Sequence, residues 1–417
     1  MLIEFRVKNF RSLRNEHVFS LVASEDKTLR DTNTQATNTK AVPALLRSAV
    51  IYGANSAGKS NLIKALQYMV YVISTSAQKP SEEHFNIKPF LLDNYSPNNP
   101  SEFEVTFILD DVRYQYGFAL TAQRIISEYL LVYQAFKAQH WFERSFDFTT
   151  NKDVYKFSSS LKGKKSLWES ATRPNSLFLS MAVQLNSKQL QPIVHWFMNN
   201  LVIIGDHHFF NMDFTIEKLK DPDSKKNILN FLQAADTNIT NIEGIKHKVP
   251  LNSIQFNDAT KETKITPMDG ADYEFRFHHS TKTAHAVFGL NDESKGTGKL
   301  FFFTPPLLHF LERGLTVVVD ELDSSLHILL VQKLVRLFHS SRSNTNGAQL
   351  IFTTHNTSLL DAPHLFRRDQ IWFVEKNSEQ ASELYSLLDF SPRKNEALEK
   401  GYLAGRYGGL PLLTDGD

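Results

Sequence analysis

Cysteine is absent from the 417-residue sequence. This absence excludes disulfide bonds, zinc sites built on thiolates and a cysteine nucleophile, and it is typical of proteins in a reducing compartment. No apolar run approaches the roughly 18 residues that a membrane-spanning helix needs. Charged side chains also interrupt the first residues of the chain too often for a secretory signal. We therefore predict a cytoplasmic protein.

Net charge is nearly absent as well, because 46 Lys and Arg residues are balanced by 45 Asp and Glu residues, which leaves +1. A neutral total gives no support for a protein that wraps nucleic acid, although it does not exclude a local basic patch. The sequence also lacks internal repeats and a long heptad run, which excludes a long coiled coil. Hydrophobic residues make up 41% of the chain, so we expect a large folded core.

The sequence does contain a glycine-rich segment between a β-prone apolar stretch at residues 46–52 and a helical pattern at residues 60–76. The segment fits G-x-x-x-x-G-K-[ST] at every fixed position, in the order of strand, loop and helix that a phosphate-binding loop requires. In such a loop the backbone N–H groups surround the β-phosphate, Lys59 adds a charge for the β- and γ-phosphates, and Ser60 offers a hydroxyl to Mg²⁺. A guanine-reading Asn-Lys-x-Asp motif is absent, so ATP is favoured over GTP. The predicted nucleotide-binding residues of this segment are Gly53, Ala54, Asn55, Ser56, Ala57, Gly58, Lys59, Ser60 and Asn61.

Two acids, Asp320 and Glu321, follow a nearly continuous apolar run at residues 315–319, a pattern typical of buried parallel strands. At the carboxyl end of that strand, Asp320 can hold Mg²⁺ through water and Glu321 can polarise an attacking water molecule. The next predicted strand, residues 349–353, is followed by His355. From the order of loop, acids and histidine we predict that His355 senses the γ-phosphate and fixes the water. The predicted catalytic residues are Lys59, Glu321 and His355, and the predicted metal ligands include Ser60 and Asp320.

A third pattern, Ser294-x-Gly296, lies about 25 residues before Asp320 and opens an apolar segment. ABC-type ATPases place a Ser-x-Gly signature there, at a helix N-terminus whose N–H groups and positive dipole contact a γ-phosphate. That phosphate is bound by the other protomer, so the pattern predicts a dimer that closes around the nucleotide. The alternative is an exposed glycine-rich turn. We expect Pro305 and Pro306 to kink or shorten the helix that follows.

Together these residues resemble the AAA15 family of ABC-type ATPases, which is related to the overcoming-lysogenization-defect, RecF and chromosome-structure (SMC) ATPases. Within that group the sequence is most similar to the RloA/AbiL-type ATPases of bacterial and phage-defence islands. The resemblance covers nearly the whole chain. Its anchors beyond the motifs above are Asn9-Phe10-Arg11-Ser12, Asp323, His327, Asn356, Asp369-Gln370-Ile371-Trp372-Phe373 and Gly401-Tyr402-Leu403-Ala404-Gly405-Arg406-Tyr407-Gly408.

The resemblance implies that Arg11 lies beside the nucleotide and that two protomers enclose two ATP molecules. It also implies a separately encoded, nuclease-like partner with a topoisomerase-primase (Toprim) metal domain, and a role in anti-phage defence. Two signature positions depart from the transporter pattern, since Lys295 replaces a favoured glycine and Thr297 a favoured glutamine. Gln115 is our candidate for the glutamine that ABC-type sites use as a metal ligand, and the alternative is a solvent-facing strand residue.

The predicted fold class is α/β, with an ABC-type (P-loop) ATPase fold, an antiparallel β lobe and a helical insertion. We expect residues 1–76 and 285–417 to form the split ATPase core. Residues 77–284 would supply the lobe and a helical or mixed insertion. Within this plan, residues 24–42 are polar and are expected to form a loop, and the pattern of residues 174–200 predicts helix.

Three functions compete at this point. The first is a defence ATPase that regulates a partner effector. The second is a RecF- or SMC-like ATPase that acts directly on DNA in repair or recombination. The neutral charge and the missing coiled coil weigh against it. The third is a scaffold that uses ATP only to hold a dimer together, and the complete set of catalytic residues argues against that.

Overall fold

The computed structural model describes residues 1–134, 137–205, 212–234, 238–257, 262–324, 326–391 and 396–410, with backbone alone for residues 251–257 and 262–269. In chain order the strands are β1 Leu2–Lys8, β2 His17–Ser20, β3 Thr34–Ala36, β4 Ala44–Leu46, β5 Ser48–Tyr52, β6 Ser101–Leu109, β7 Val112–Leu120, β8 Ile125–Tyr133, β9 Gln139–Asp147, β10 Lys152–Phe157, β11 Leu201–Ile204, β12 Ile239–Asn257, β13 Glu262–Ser280, β14 His285–Gly289, β15 Thr316–Val319, β16 Gln349–Thr353, β17 Ile371–Lys376 and β18 Ser382–Ser386.

The helices connect these strands and cover their faces. In chain order they are α1 Arg30–Asn33, α2 Lys59–Thr75, α3 Lys165–Ala171, α4 Phe178–Gln184, α5 Gln191–His195, α6 Met212–Lys220, α7 Pro222–Gln233, α8 Lys295–Arg313, α9 Ile328–His339 and α10 Leu398–Leu403. A π-helical segment, Trp196–Asn200, directly continues α5. In the part of the chain that the structure describes, no helix is both long and apolar enough to cross a membrane.

The chain divides into two compact units. The first comprises Met1–Gly205, Leu311–Asp323 and Val331–Asp417, and the second comprises Asp206–Phe310 and Ser324–Leu330.

The central sheet of the first unit has the strand order β11-β15-β16-β5-β17-β18. Its strands are parallel except for β18, which pairs antiparallel with β17. The residues of β5, β15 and β16 are all buried, as expected of strands that are covered on both faces. Because the carboxyl ends of parallel strands meet at one edge, the segments that follow β5, β15 and β16 lie side by side.

The second sheet of this unit is antiparallel, with the strand order β10-β9-β8-β7-β6-β1-β2. The N-terminal strand β1 joins it by pairing with β6, which places Phe5 opposite Val105. Burial alternates along β1, so its apolar side chains enter the core and its charged side chains stay outside. Behind the sheet, the buried carboxylate of Glu128 accepts the N–H groups of Phe178 and Leu179 and thereby holds the start of α4.

The second unit is built on a long hairpin of β12 and β13, which are paired from Ile239 and His279 to Asn257 and Glu262. Strand β14 joins only its base, where it pairs with residues 276–280 of β13. Helices α6 and α7 pack against β12. Gly244 favours this close approach, because a Cβ atom there would lie 3.0 Å from the side chain of Ile216.

The structure differs from the sequence-based expectations at several elements. The polar residues 24–42 contain α1 and β3, and β3 is ordered because it pairs with the buried strand β4. The helical pattern of residues 174–200 is divided into α4, α5 and the π-helical segment. Pro305 and Pro306 were expected to kink or shorten their helix; they do not shorten it, because α8 continues to Arg313, and the kink stays a prediction. The aromatic side chains of this helix are buried, and that packing offsets the N–H groups that proline lacks.

The strand pairing also crosses the expected boundaries at residues 76 and 285. Strands β1 and β2 belong to the antiparallel sheet, and β11, from the expected insertion, lies at the edge of the central sheet. The division of the chain into a functional core and an insertion stays a prediction.

Candidate nucleotide-binding site

The glycine-rich loop joins β5 to α2 and requires glycine at both of its ends. The backbone φ of Gly58 is +119°, and a Cβ atom there would lie 2.1 Å from Oγ of Ser382. At Gly53, with φ of +154°, a Cβ atom would lie 2.2 Å from the backbone oxygen of Val374. Other residues meet both a strained backbone and a collision at these positions, so the loop conformation depends on the two glycines.

Lys59 opens α2, and its side chain curls back over the loop. Its Nζ atom donates hydrogen bonds to the carbonyl oxygens of Gly53 at 2.8 Å and Ala54 at 3.1 Å. Burial lowers the pKa of the Lys59 ammonium from its ordinary value, and the carboxylates of Asp320 and Glu321 oppose that shift. Lys59 is also the first residue of a 17-residue helix, and the free N–H groups and the dipole at this N-terminus favour an anion.

The two predicted acids are fixed by a single hydroxyl on the neighbouring strand. Thr353 donates to Oδ1 of Asp320 at 2.6 Å and accepts from the backbone N–H of Glu321 at 2.7 Å. Glu321 has a left-handed backbone, with φ of +52°. Such a conformation costs a non-glycine residue about 1 to 3 kcal/mol and is characteristic of functional sites. The chain therefore no longer continues as an extended strand at Glu321, two residues after the end of β15.

His355 contacts Glu321 across the sheet edge. Its Nε2 atom lies 3.5 Å from Oε1 of Glu321, and both side chains are partly exposed to solvent. The backbone N–H of His355 points to Oδ2 of Asp323 at 3.4 Å. A water molecule that enters here meets a carboxylate that can accept its proton and an imidazole that can orient it.

The loop, Glu321 and His355 share one open cleft of about 610 Å³. Its lining residues are Asn55, Ser56, Ala57, Gly58, Lys59, Ser60, Asn61, Lys64, Glu321, His355 and Lys376. Three lysines and one carboxylate give this cleft a positive balance, which suits a polyphosphate. The size and charge of the cleft therefore fit a nucleoside triphosphate.

Two of the predicted metal ligands, Ser60 and Asp320, have the chemistry that Mg²⁺ prefers. Ser60 lines the cleft at the first turn of α2. Asp320 is buried at the end of β15, and its Oδ1 atom accepts a hydrogen bond from Thr353. Within the described residues, its Oδ2 atom accepts no hydrogen bond from protein. Hydroxyl and carboxylate oxygens are the ligands that Mg²⁺ prefers, and it keeps several waters of its own.

Asn61 contacts Ser12, the residue that follows Arg11. Asn61 lines the cleft, and its Nδ2 atom donates to Oγ of Ser12 at 2.7 Å. Arg11 precedes Ser12, has a φ of +52°, and places its guanidinium 5.6 Å from the ring centre of Phe10. Arg11 is therefore next to a residue that touches the loop, and its role toward the nucleotide stays a prediction.

Gln115 is not brought to the loop. It lies on β7, where its side-chain oxygen accepts a hydrogen bond from the Tyr133 hydroxyl at 2.8 Å. It lines a different cavity, of about 300 Å³, together with Arg6, Glu104 and other strand residues. Its oxygen is engaged within the antiparallel sheet, and the structure gives no support to its predicted role as a metal ligand.

Ser294 and Gly296 belong to the second unit. The Ser294 hydroxyl accepts the backbone N–H of Thr297 at 3.0 Å, which is the geometry of a helix N-cap, and α8 begins at Lys295. The preceding Glu293 is held by Nε2 of His279 at 2.7 Å. A capped helix N-terminus is what the signature pattern requires, and its contact with the phosphate of another protomer stays a prediction.

Four residues of the site were not identified from the sequence. Lys64 and Lys376 line the cleft, Thr353 orients the acids, and Ser382 contacts the loop. Lys64 could have been found from its position one helical turn after Ser60, and Thr353 from its place at the end of the strand before His355. Lys376 and Ser382 carry no local signal, because they reach the loop only through the pairing of β17 and β18.

One protein family matches most of the chain. Residues 48–361 match the family described as "AAA domain, putative AbiEii toxin, Type IV TA system". None of the curated proteins matches the chain.

Three solved structures are similar over most of their length. The SMC head domain from Thermotoga maritima has 14% identity and a TM-score of 0.42, with 92% of this chain and 98% of that chain covered. The SmcHead bound to the C-winged helix domain of ScpA has 12% identity and a TM-score of 0.39, with 92% and 97% covered. The Smc head domain with an extended coiled coil bound to the C-terminal domain of ScpA, derived from Pyrococcus furiosus, has 12% identity and a TM-score of 0.41, with 97% and 98% covered.

The family match covers most of the chain and includes the loop, both acids and His355. The predicted fold class is confirmed. The chain therefore belongs to this AAA-domain family and has the predicted α/β fold with an antiparallel sheet.

Proposed function

We propose that this protein hydrolyses ATP, with Mg²⁺ as cofactor, in a site completed by a second protomer, and that the reaction regulates a partner effector. The observation that carries the proposal is the pair of Glu321 and His355 at the mouth of the phosphate-loop cleft, with their side chains 3.5 Å apart. A site that only binds nucleotide has no need of a strained carboxylate held against an imidazole beside the phosphates.

In this proposal each residue has a distinct task. Lys59 and the N–H groups of the loop hold the β- and γ-phosphates. Ser60 and Asp320 hold Mg²⁺, which neutralises charge on the phosphate oxygens. Glu321 accepts a proton from the attacking water, and His355 orients that water. Most of the rate enhancement then comes from positioning and from electrostatic stabilisation of the phosphoryl group.

The second protomer would supply Ser294 and Gly296. Ser294 caps α8, so the N–H groups of its first turn are available to an anion. Placed against the γ-phosphate of a partner protomer, this helix N-terminus would close the site only when ATP is present. Hydrolysis would then weaken the contact, and ATP would act as a switch for dimer formation.

The effector would be a separately encoded, nuclease-like protein of the Toprim type, and the system would act in anti-phage defence in the cytoplasm. The resemblance to the RloA/AbiL-type ATPases within the AAA15 family supports this assignment. The description of the matched family names a putative AbiEii toxin and a type IV toxin–antitoxin system, and it names neither a nuclease nor a partner effector.

The test is the Glu321→Gln variant, with Glu379→Gln as the matched control. Glu379 is exposed and pairs with Arg14 away from the cleft lining. We expect Glu321→Gln to lower phosphate release at least about 100-fold while ATP stays bound. Light scattering after chromatography with Mg·ATP should show stable dimers for this variant and monomers without nucleotide.

Three outcomes would change the proposal. Normal phosphate release by Glu321→Gln would remove the water-activating role. A monomer with bound ATP would remove the shared site. Salt-dependent binding of duplex DNA by the wild-type protein, with no effector recovered from its host by co-purification, would favour the direct DNA role.

A further inference from the structure

A chain of hydrogen bonds links the phosphate loop to two serines that are far apart in the sequence. Ser382, the first residue of β18, is completely buried, and its Oγ atom lies 2.5 Å from the carbonyl oxygen of Ala57. The same Oγ atom lies 2.7 Å from Oγ of Ser12. Ser12 in turn accepts a hydrogen bond from Nδ2 of Asn61, in the first turn of α2.

Ser382 is the donor at the loop end of this chain. A carbonyl oxygen can only accept, so the Ser382 hydroxyl donates to the carbonyl of Ala57. The same hydroxyl is shared with Oγ of Ser12, which in turn accepts from Nδ2 of Asn61. The chain therefore ends on the loop.

The hydrogen bond to the Ala57 carbonyl also fixes the direction of the next N–H group, because the peptide bond is planar. The carbonyl of Ala57 and the N–H of Gly58 belong to one trans peptide unit and point in opposite directions. A hydrogen bond from Ser382 that holds the carbonyl on the β18 side therefore turns the Gly58 N–H to the other side. Gly58 lines the cleft, and its N–H is one of the donors of a phosphate-binding loop.

We propose that Ser382 and Ser12 are positioning residues for nucleotide binding, which orient the Ala57–Gly58 peptide without touching the nucleotide. This inference rests on the proposed function. Both serines lie outside residues 48–361, the span that matches the family. A second contact keeps them together in the absence of their hydroxyls, because the backbone N–H of Ser382 donates to the carbonyl of Ser12 at 2.7 Å. Alanine variants should therefore keep the fold.

The experiment measures the dissociation constant of Mg·ADP by calorimetry, because ADP needs neither hydrolysis nor a second protomer. The variants are Ser382→Ala, Ser12→Ala and the double variant, all in the full-length chain. Ser386→Ala is the control, since Ser386 lies on the same strand and its hydroxyl caps Leu388 away from the cleft. We expect each single variant to weaken Mg·ADP binding about five- to tenfold, the effect of one lost hydrogen bond. The double variant should be no weaker than either single one, because both changes break the same chain.

A role in general stability predicts a different result. In that case Ser382→Ala and Ser386→Ala would both lower the unfolding temperature, and both would bind Mg·ADP like the wild type. Binding by Ser382→Ala within twofold of wild type, or multiplication of the two single effects in the double variant, would overturn the proposal. If the wild-type protein itself does not bind Mg·ADP, the proposed function is wrong, and this result is distinct from a failure of the positioning role of Ser12 and Ser382.

Discussion

Nε2 of His355 lies 3.5 Å from Oε1 of Glu321, although the two residues follow different strands. Their strands, β16 and β15, are parallel neighbours, and Thr353 holds the backbone of Glu321 from the adjacent strand end. The sheet therefore brings the backbones of the two residues to the same edge. This arrangement leads to the first prediction.

Replacing His355 with Gln should slow ATP hydrolysis by about 100-fold while the affinity for Mg·ATP changes less than threefold. Gln keeps a polar group of similar reach but cannot act as the same water-orienting partner of Glu321. Single-turnover phosphate release and nucleotide titration separate the two quantities. The control is His364→Gln, an exposed histidine of the same unit. Equal losses of binding and rate in His355→Gln would show that the histidine only holds the nucleotide.

Lys376 should strengthen nucleotide binding through its charge. It lines the cleft with Lys59 and Lys64, and it is exposed at the end of β17. We expect Lys376→Gln to weaken Mg·ATP binding about three- to tenfold at low salt, and less at high salt because an exposed charge is screened. Lys27→Gln, at another exposed lysine, should change neither value. A salt-independent loss would mean that the side chain acts through packing instead.

Gly58 should not tolerate a methyl group. A Cβ atom at this position would lie 2.1 Å from Oγ of Ser382 on a backbone with φ of +119°. Gly58→Ala should therefore abolish measurable nucleotide binding, whereas the fold should persist because the collision is with the side chains of two serines, Ser12 and Ser382, and not with backbone. Gly205→Ala provides the comparison, since a Cβ atom there would have no neighbour within 4 Å. Retained binding in Gly58→Ala would show that the loop can adopt a second productive shape.

His339 should make the stability of the protein depend on pH. It is buried, its Nε2 atom lies 2.7 Å from the Ser48 hydroxyl, and burial lowers the pKa of His339 from 6.5 to about 3. Between these two values the unfolded chain binds a proton that the folded chain excludes. The free energy of unfolding should therefore fall as the pH is lowered below about 6.5, by up to about 1.4 kcal/mol per pH unit.

Chemical denaturation at pH 7.5, 6.5 and 5.5 measures this slope. His339→Gln should reduce it, because glutamine does not titrate, even if the variant is less stable at every pH. The exposed His364 supplies the reference variant, and His364→Gln should leave the slope unchanged. An identical slope in His339→Gln and the wild type would assign the pH dependence to other groups.

The parts of the site that the sequence predicts are those with local signals. The loop has a fixed spacing between a strand and a helix, and Glu321 and His355 each follow a buried strand. Parallel strands bring such positions to one edge, so three separate motifs predict one cleft. The same reasoning located β5, β15 and β16 within two residues, whereas β11 and β18 were not predicted.

The parts that the sequence does not predict depend on distant partners. The polar residues 30–36 form α1 and β3 because β4 supplies a partner for them. Helix α8 continues through Pro305 because its aromatic residues pack on the hairpin of the second unit, where Phe301 contacts Phe275. Ser12 and Ser382 meet although 370 residues separate them. No local sequence pattern predicts a contact between residues so far apart in the chain.

The backbone hydrogen bond from Ser382 to Ser12 joins the edge of the central sheet to the turn that follows β1 of the antiparallel sheet. Under the positioning role proposed for Ser12 and Ser382, a molecule that binds the antiparallel sheet and displaces this turn is expected to change the affinity of the loop for nucleotide. Thermodynamic linkage then requires that nucleotide change the affinity for that molecule by the same factor. Binding to the antiparallel sheet is thus expected to depend on whether nucleotide occupies the cleft. Ligands of this sheet can be sought by screening for binding that differs between the empty and the nucleotide-loaded protein.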